Sequence, residues 1–322
     1  MMSADTFLKS GASTCTVELP EPRVLADGIE QSNRFRHVAA QHALLHQPYP
    51  DVVTVHDVVM RSARVFGELP AMGYRPVIRT IEETKERTRI VNGNEVKETK
   101  VMKFYELGPY QWISYKEMLV TVKSIASGLV DLGYSAGDKT CIYLPTSPDW
   151  QMFAHGCFAQ SIAITTAYDT LGPDGLLWAL NEPEIPIVFT TTDLFPMLTR
   201  IISQCPHVRH VVFKGNATPL MLADLAAAAG DDRLTILSLD ELMLRGKLRP
   251  CEMRPPSKDD LCCIMYTSGS TGKPKGVVMT HANIVAALAG IDAVIPKLLG
   301  VGDRYLAMLP LSHSLEFAVE SY

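Results

Sequence analysis

Apolar and polar positions change period several times along this chain. Residues 1–50 show weak periodicity and are punctuated by Pro20, Pro22, Pro48 and Pro50. They read as a leader lying over the surface. Thr54 followed three residues later by Asp57 resembles a capping box, and Val55, Val58, Val59 and Val65 then form a helical stripe to about Phe66. Two short runs, 87–91 and 96–102, flank Asn92, Gly93 and Asn94. An Asn-Gly pair accepts the positive φ angles of a tight turn, so an exposed two-stranded hairpin is expected here.

From Ser114 onward the pattern alternates. Ser114 and Glu117 form a capping box, Met118, Val122, Ile125, Ala126 and Leu129 make the buried stripe, and Gly133 ends the helix. Short apolar runs at 141–144, 162–167, 187–190, 208–213 and 234–237 read as strands, about 20–25 residues apart. Helices are expected between them: from Ser147-Pro148 to about Ala159, over 174–180, and from a cap at Asp193 to about Ser203. Three prolines within 249–256 mark a connecting segment. Further strands are expected at 261–266, 277–279 and 304–308, with a helix starting near His313. The fold class is therefore α/β, with a mostly parallel sheet flanked by helices and an N-terminal hairpin-containing segment. The expected organisation is a leader (1–50), a helix and hairpin segment (51–113), an α/β subdomain (114–256) and the start of a second subdomain (257–322).

Composition narrows the function classes. Hydrophobic residues are 47% of the 322 positions, enough to build a core, which excludes a disordered or collagen-like chain. The net charge of −5 supplies no global field for a phosphate backbone, so nucleic acid is not an expected partner. The seven cysteines have no CxxC spacing and read as buried thiols in a reduced compartment. No secretory signal stands at the N-terminus, and the long apolar stretch 282–300 carries Asn283, Asp292, Pro296 and Lys297, which argues against a membrane span. An intracellular location is expected, cytoplasmic or peripheral on an endomembrane.

The densest chemical signal follows the apolar run 261–266. Thr267, Ser268, Gly269, Ser270, Thr271 and Gly272 form a hydroxyl- and glycine-rich loop, followed by Lys273, Pro274, Lys275 and Gly276. Glycines let backbone approach a ligand closely, hydroxyls donate to phosphate oxygens, and the lysines supply positive charge. It is not a Walker A loop. The two glycines are too close together, and Pro274 stands where Ser or Thr is required. That argues against a free-standing P-loop NTPase.

The string from Thr267 to Gly276 closely resembles the phosphate loop of the adenylate-forming (AMP-binding) superfamily. Leu309, Pro310, Leu311, Ser312, His313 and Glu316 are similar to that family's next motif, with Ser314 in place of a larger apolar residue. Upstream, Tyr74 to Thr80, Phe104 to Tyr110, Ser114 to Glu117 and Thr166 to Gly172 look like the fungal form of the long-chain fatty acyl-CoA synthetases. Tyr168 and Asp169 in the last of these sit just after a strand, either at a ligand crevice or as an ordinary turn and cap.

The resemblance implies ATP-dependent activation of a fatty acid to an acyl-adenylate and then to acyl-CoA. ATP, Mg²⁺ and CoA are co-substrates, and peripheral contact with a membrane surface is implied. Thr267, Ser268, Gly269, Ser270, Thr271, Gly272 and Lys275 would hold the nucleotide phosphates, and Thr267 would also reach Mg²⁺. His313 would line the carboxylate pocket, and Glu316 is either a catalytic acid or a first-turn helix acid. The family's remaining parts, including its Tyr-Gly-x-Thr-Glu motif, find no match in the sequence. A truncated ligase is one expectation, and a non-catalytic nucleotide- or acyl-binding module derived from one is the alternative. Truncation within a sheet would leave an unpaired edge, an exposed apolar face and low solubility.

Overall fold

The computed structural model describes residues 16–19, 34–91, 94–230, 233–267, 274–294 and 300–321. The N-terminal segment holds an antiparallel pair, β1 (Thr16–Glu18) and β2 (Phe35–His37). Helix α1 (Val55–Phe66) starts at the expected box: Thr54 Oγ1 accepts from the Asp57 amide, and Asp57 accepts from the Thr54 amide. β3 (Pro70–Tyr74) leads into a long hairpin of β4 (Val77–Val91) and β5 (Asn94–Leu107), and then β6 (Gln111–Ser114) pairs back onto β3. The hairpin is longer than its hydrophobic pattern indicated. Its ladder starts at Val77, because pairs such as Arg79 with Glu106 can sustain strand register without burial. The expected turn at Asn92-Gly93 lies outside the described residues.

Helix α2 (Tyr115–Asp131) opens with the reciprocal Ser114–Glu117 cap and ends at Gly133, whose φ of +93° suits glycine. Strands and helices then alternate: β7 (Lys139–Tyr143), α3 (Pro148–Phe158), β8 (Ala163–Ala167), α4 (Pro173–Asn181), β9 (Ile187–Thr191), α5 (Phe195–Ile201), β10 (His210–Lys214), α6 (Pro219–Ala229), β11 (Thr235–Ser238) and α7 (Leu239–Leu248). The chain continues through β12 (Leu261–Thr267), β13 (Lys275–Thr280), α8 (His281–Val294) and α9 (Ser314–Ser321). Two expectations are corrected. Asp193 does not cap α5; it lies in a 3-10 turn over Thr192–Leu194, and Leu194 precedes the helix. Residues 304–308 form no strand, because no described segment supplies a ladder partner.

The main sheet has the order β11-β10-β9-β7-β8-β12-β13, all parallel except the antiparallel β12–β13 pair. Side chains alternate between two separate cores, as the two-residue period of a strand requires. Ile142, Ile164, Phe189 and Val212 face α1, α2, α3, α7, α8 and α9. Cys141, Tyr143, Val188 and Val211 face α4, α5 and α6. Both faces of the central strands are covered, which accounts for their continuous apolar runs. On the first side α2 and α7 cross at two glycines. A Cβ on Gly246 would lie 1.9 Å from the Ser124 carbonyl oxygen.

Candidate functional site

Two loops meet the C-terminal edge of this parallel sheet, where open α/β sheets bind ligands. The first is the hydroxyl-rich loop. β12 lies between β8 and β13, with Met265 opposite Thr166 and Thr267 opposite Lys275. The two strands thus bring Thr267 and Lys275, both exposed, to the two ends of the loop, where the Thr267 hydroxyl donates to the Lys275 carbonyl at 3.5 Å. Ser268, Gly269, Ser270, Thr271 and Gly272 lie outside the described residues. Beside this stem the Tyr266 hydroxyl donates to Glu182 at 2.6 Å, tying the end of β12 to the end of α4; burial and the neighbouring carboxylate raise its pKa.

The second loop carries His313 and is clasped onto the ends of β7 and β8 by side-chain hydroxyls. Thr146 Oγ1 donates to the Leu309 carbonyl and accepts from the Leu311 amide, both at 2.9 Å. Thr166 Oγ1 donates to the Ser312 carbonyl at 3.3 Å, and Ser312 Oγ donates to the Ala167 carbonyl at 3.2 Å. Leu311 is buried between these contacts. His313 itself is exposed and caps α9: its Nδ1 accepts from the Leu315 amide at 3.2 Å and its carbonyl accepts from the Phe317 amide at 3.0 Å. An accepting Nδ1 places the imidazole proton on Nε2, which leaves an N–H donor at the sheet edge.

Glu316 is fully buried one turn into α9, and its Oε2 accepts from the Tyr305 hydroxyl at 2.8 Å. A further turn along, Glu320 is raised to about 7, first by burial and then by its neighbour Glu316. Gln151 on α3 lies beside this pair and partly opposes the shift. Glu316 thereby ties Tyr305 in the preceding segment to α9. Tyr168 and Asp169 form the turn after β8, where the Leu171 amide donates to the Tyr168 carbonyl at 2.9 Å.

The family signature described as AMP-binding enzyme matches residues 81–322. The chain belongs to the AMP-binding enzyme family. It is 39% identical over 290 residues to a long-chain-fatty-acid–CoA ligase 2 of Schizosaccharomyces pombe, covering 90% of this chain and 42% of that ligase. It is 33% identical over 287 residues to a palmitoyl-CoA ligase of Gibberella moniliformis, covering 89% of this chain and 41% of that protein. The AMP-binding chain thus spans about two fifths of the length of these curated relatives. Among solved structures, the A-PCP didomain of a carboxylic acid reductase from Segniliparus rugosus in complex with AMP superposes with a TM-score of 0.64 at 20% identity, covering 86% of this chain and 40% of that one. A long-chain-fatty-acid-CoA ligase from Archaeoglobus fulgidus gives 0.62 at 20% identity, covering 85% and 45%. At that identity the likeness is one of fold.

Membership in an AMP-binding family carries ATP binding with it. The fit to Mg²⁺ is narrower. Among the described residues no group of three His, Cys, Asp or Glu side chains could hold a metal ion, and Thr267 offers one hydroxyl oxygen. An octahedral Mg²⁺ retains waters and takes phosphate oxygens, so a single protein hydroxyl fits a cation that arrives with its nucleotide. Among the described residues no helix is long and apolar enough to cross a membrane. Thr146 and Tyr305 position the second loop, and no local sequence pattern marks that role: the Leu309 partner of Thr146 lies 163 residues away.

Proposed function

We propose that this chain contributes the nucleotide-phosphate site of a fungal-type long-chain fatty acid–CoA ligase. A fatty acid carboxylate oxygen attacks the α-phosphorus of ATP, pyrophosphate leaves, and acyl-adenylate forms. The CoA thiol then attacks the acyl carbonyl and AMP leaves. The observation that carries this reading is the juxtaposition of Thr267 and Lys275 at the mouth of the loop, on the C-terminal edge of a parallel sheet, in a chain of this family.

Ser268, Gly269, Ser270, Thr271 and Gly272 cradle the β- and γ-phosphates through backbone N–H and hydroxyl groups, as the family string implies. Lys275 neutralises phosphate charge, and the Thr267 hydroxyl also reaches the Mg²⁺ that accompanies ATP. Positioning and charge neutralisation supply much of the catalysis in such transfers. His313 presents its Nε2–H toward the carboxylate being activated. Glu316 acts as a positioning residue through Tyr305. Fatty acid and CoA are the remaining substrates, at a location peripheral to membranes.

A second reading is a nucleotide- or acyl-binding module without turnover. Fatty-acid-dependent ATP–pyrophosphate exchange with palmitate separates the two. Exchange above a blank that is lost in Lys275→Ala supports the ligase. ATP binding without exchange supports the module, and neither binding nor exchange refutes both.

A further inference from the structure

The bond from Tyr266 to Glu182 joins two segments that lie 84 residues apart in the chain. On one side, Tyr266 pairs with Gly276 in the β12–β13 ladder, one rung before Thr267 and Lys275. The phenol ring lies over that glycine: a Cβ on Gly276 would sit 3.3 Å from two ring carbons and 2.9 Å from Ile264 Cγ2. On the other side, Glu182 follows α4 in a turn whose backbone is fixed. The Glu182 amide donates to the Trp178 carbonyl at 3.0 Å, the Glu184 amide to the Asn181 carbonyl at 3.1 Å, and the Ile185 amide to the Leu180 carbonyl at 2.9 Å. Glu184 closes the turn with a φ of +55°, and the Asn181 side chain donates to the Gln204 carbonyl at 2.9 Å. Leu176 and Leu180 seat α4 in the core it shares with Cys141 and Val188. The carboxylate therefore stands on a rigid mount, and the strand end it grips borders the hydroxyl-rich loop.

We propose that Glu182 is a positioning residue for the nucleotide phosphates: by holding Tyr266 it fixes the last rung before the loop, and with it the spacing of Thr267 and Lys275. This role rests on the nucleotide-phosphate reading of the loop. Donors already in place bind phosphate without the ordering cost that mobile ones incur. Glu182 acts through Tyr266 and needs no contact with the nucleotide. Burial and the carboxylate raise the phenol's pKa, so the hydroxyl stays protonated and donating at neutral pH. Glu182 is exposed, and one hydrogen bond at an exposed site adds little to global stability. Its effect is therefore local, at the mouth of the loop.

The test compares the full chain with Glu182→Ala, Glu182→Gln, Tyr266→Phe and the double variant Glu182→Ala with Tyr266→Phe. Without nucleotide, amide hydrogen exchange at 264–267 and 275–278 should quicken about threefold to tenfold in Glu182→Ala and in Tyr266→Phe, while β8 stays protected and the thermal midpoint holds. Calorimetric titration of ATP with Mg²⁺ should show binding weakened about threefold to tenfold in each of these, with no further loss in the double variant. Glu182→Gln should bind like the native chain, because its side-chain carbonyl accepts the same hydrogen bond. Unchanged exchange, tighter ATP binding in Glu182→Ala, additive losses in the double variant, or Glu182→Gln as weak as Glu182→Ala overturns the proposal. A native chain that binds no ATP refutes the nucleotide reading and this role with it; native binding that the variants leave intact refutes the role alone.

Discussion

Three imidazoles sit in the core at the junction of α1, α3 and α8. His56, His155 and His281 are each at most 3% exposed. Phe158 lies between two of them, with ring centroids 5.9 Å from His155 and 5.2 Å from His281. His281 Nδ1 accepts from the Val55 amide at 3.3 Å, serving as a remote cap for α1, so that nitrogen must stay unprotonated. Burial depresses His155 to about 3 and His281 to about 4, and the mutual repulsion of the rings adds to it. The unfolded chain, with histidines near 6.5, therefore binds more protons than the folded one between pH 6.5 and about 4. Stability is full above 6.5 and is lost as pH falls through that window. From pH 7 to pH 5 the loss is about 2 kcal/mol for each of His155 and His281, roughly 4 kcal/mol together. His56 is shifted in the same direction. The assay is urea unfolding at pH 7, 6 and 5 for the native chain and for His155→Phe, which keeps a ring in the aromatic cluster and removes the titration. The pH 7-to-5 loss should shrink by about 2 kcal/mol in the variant, while other titrations cancel in the comparison. An unchanged loss in His155→Phe would refute the reasoning.

Glu320 titrates with the opposite sign. Its carboxyl is raised to about 7, so the folded state binds the extra proton between pH 4.5 and 7 and loses stability as pH rises through that range. Glu320→Gln should therefore stabilise the chain at pH 8 by about 1–2 kcal/mol after allowing for solvent screening, and have little effect at pH 4.5, by urea unfolding. Gly246→Ala forces a methyl to within 1.9 Å of the Ser124 carbonyl oxygen and should destabilise by about 2–4 kcal/mol, read as a fall in thermal midpoint. Thr146→Val removes both hydroxyl contacts of the His313 loop and should cost about 1–3 kcal/mol, with faster amide exchange at Leu311 while β7 stays protected.

Local chemistry was the most legible part of this sequence. The pairs Thr54–Asp57 and Ser114–Glu117 act within four residues, and both form the reciprocal caps their spacing specifies. The strands of the parallel sheet were legible because burial on both faces leaves continuous apolar runs such as Ile187 to Phe189. The hairpin was read too short because β4 and β5 are rich in charge, and cross-strand pairing leaves no apolar mark. The run 304–308 is strand-like in sequence, but a strand also needs a neighbour, and none is present among the described residues. At the site, the β12–β13 register sets Thr267 opposite Lys275. Glu316 illustrates what a motif cannot specify. Its role depends on Tyr305 and Glu320, and the linear pattern does not say that the carboxyl is enclosed between them.

Titration of ATP with Mg²⁺ into the chain, followed by calorimetry, tests the central claim most directly. The account predicts saturable binding that weakens about tenfold in Lys275→Ala, in keeping with one charge-assisted phosphate contact, and weakens further when salt is raised. Binding of equal strength in Lys275→Ala, or no heat of binding in a folded chain, would contradict it.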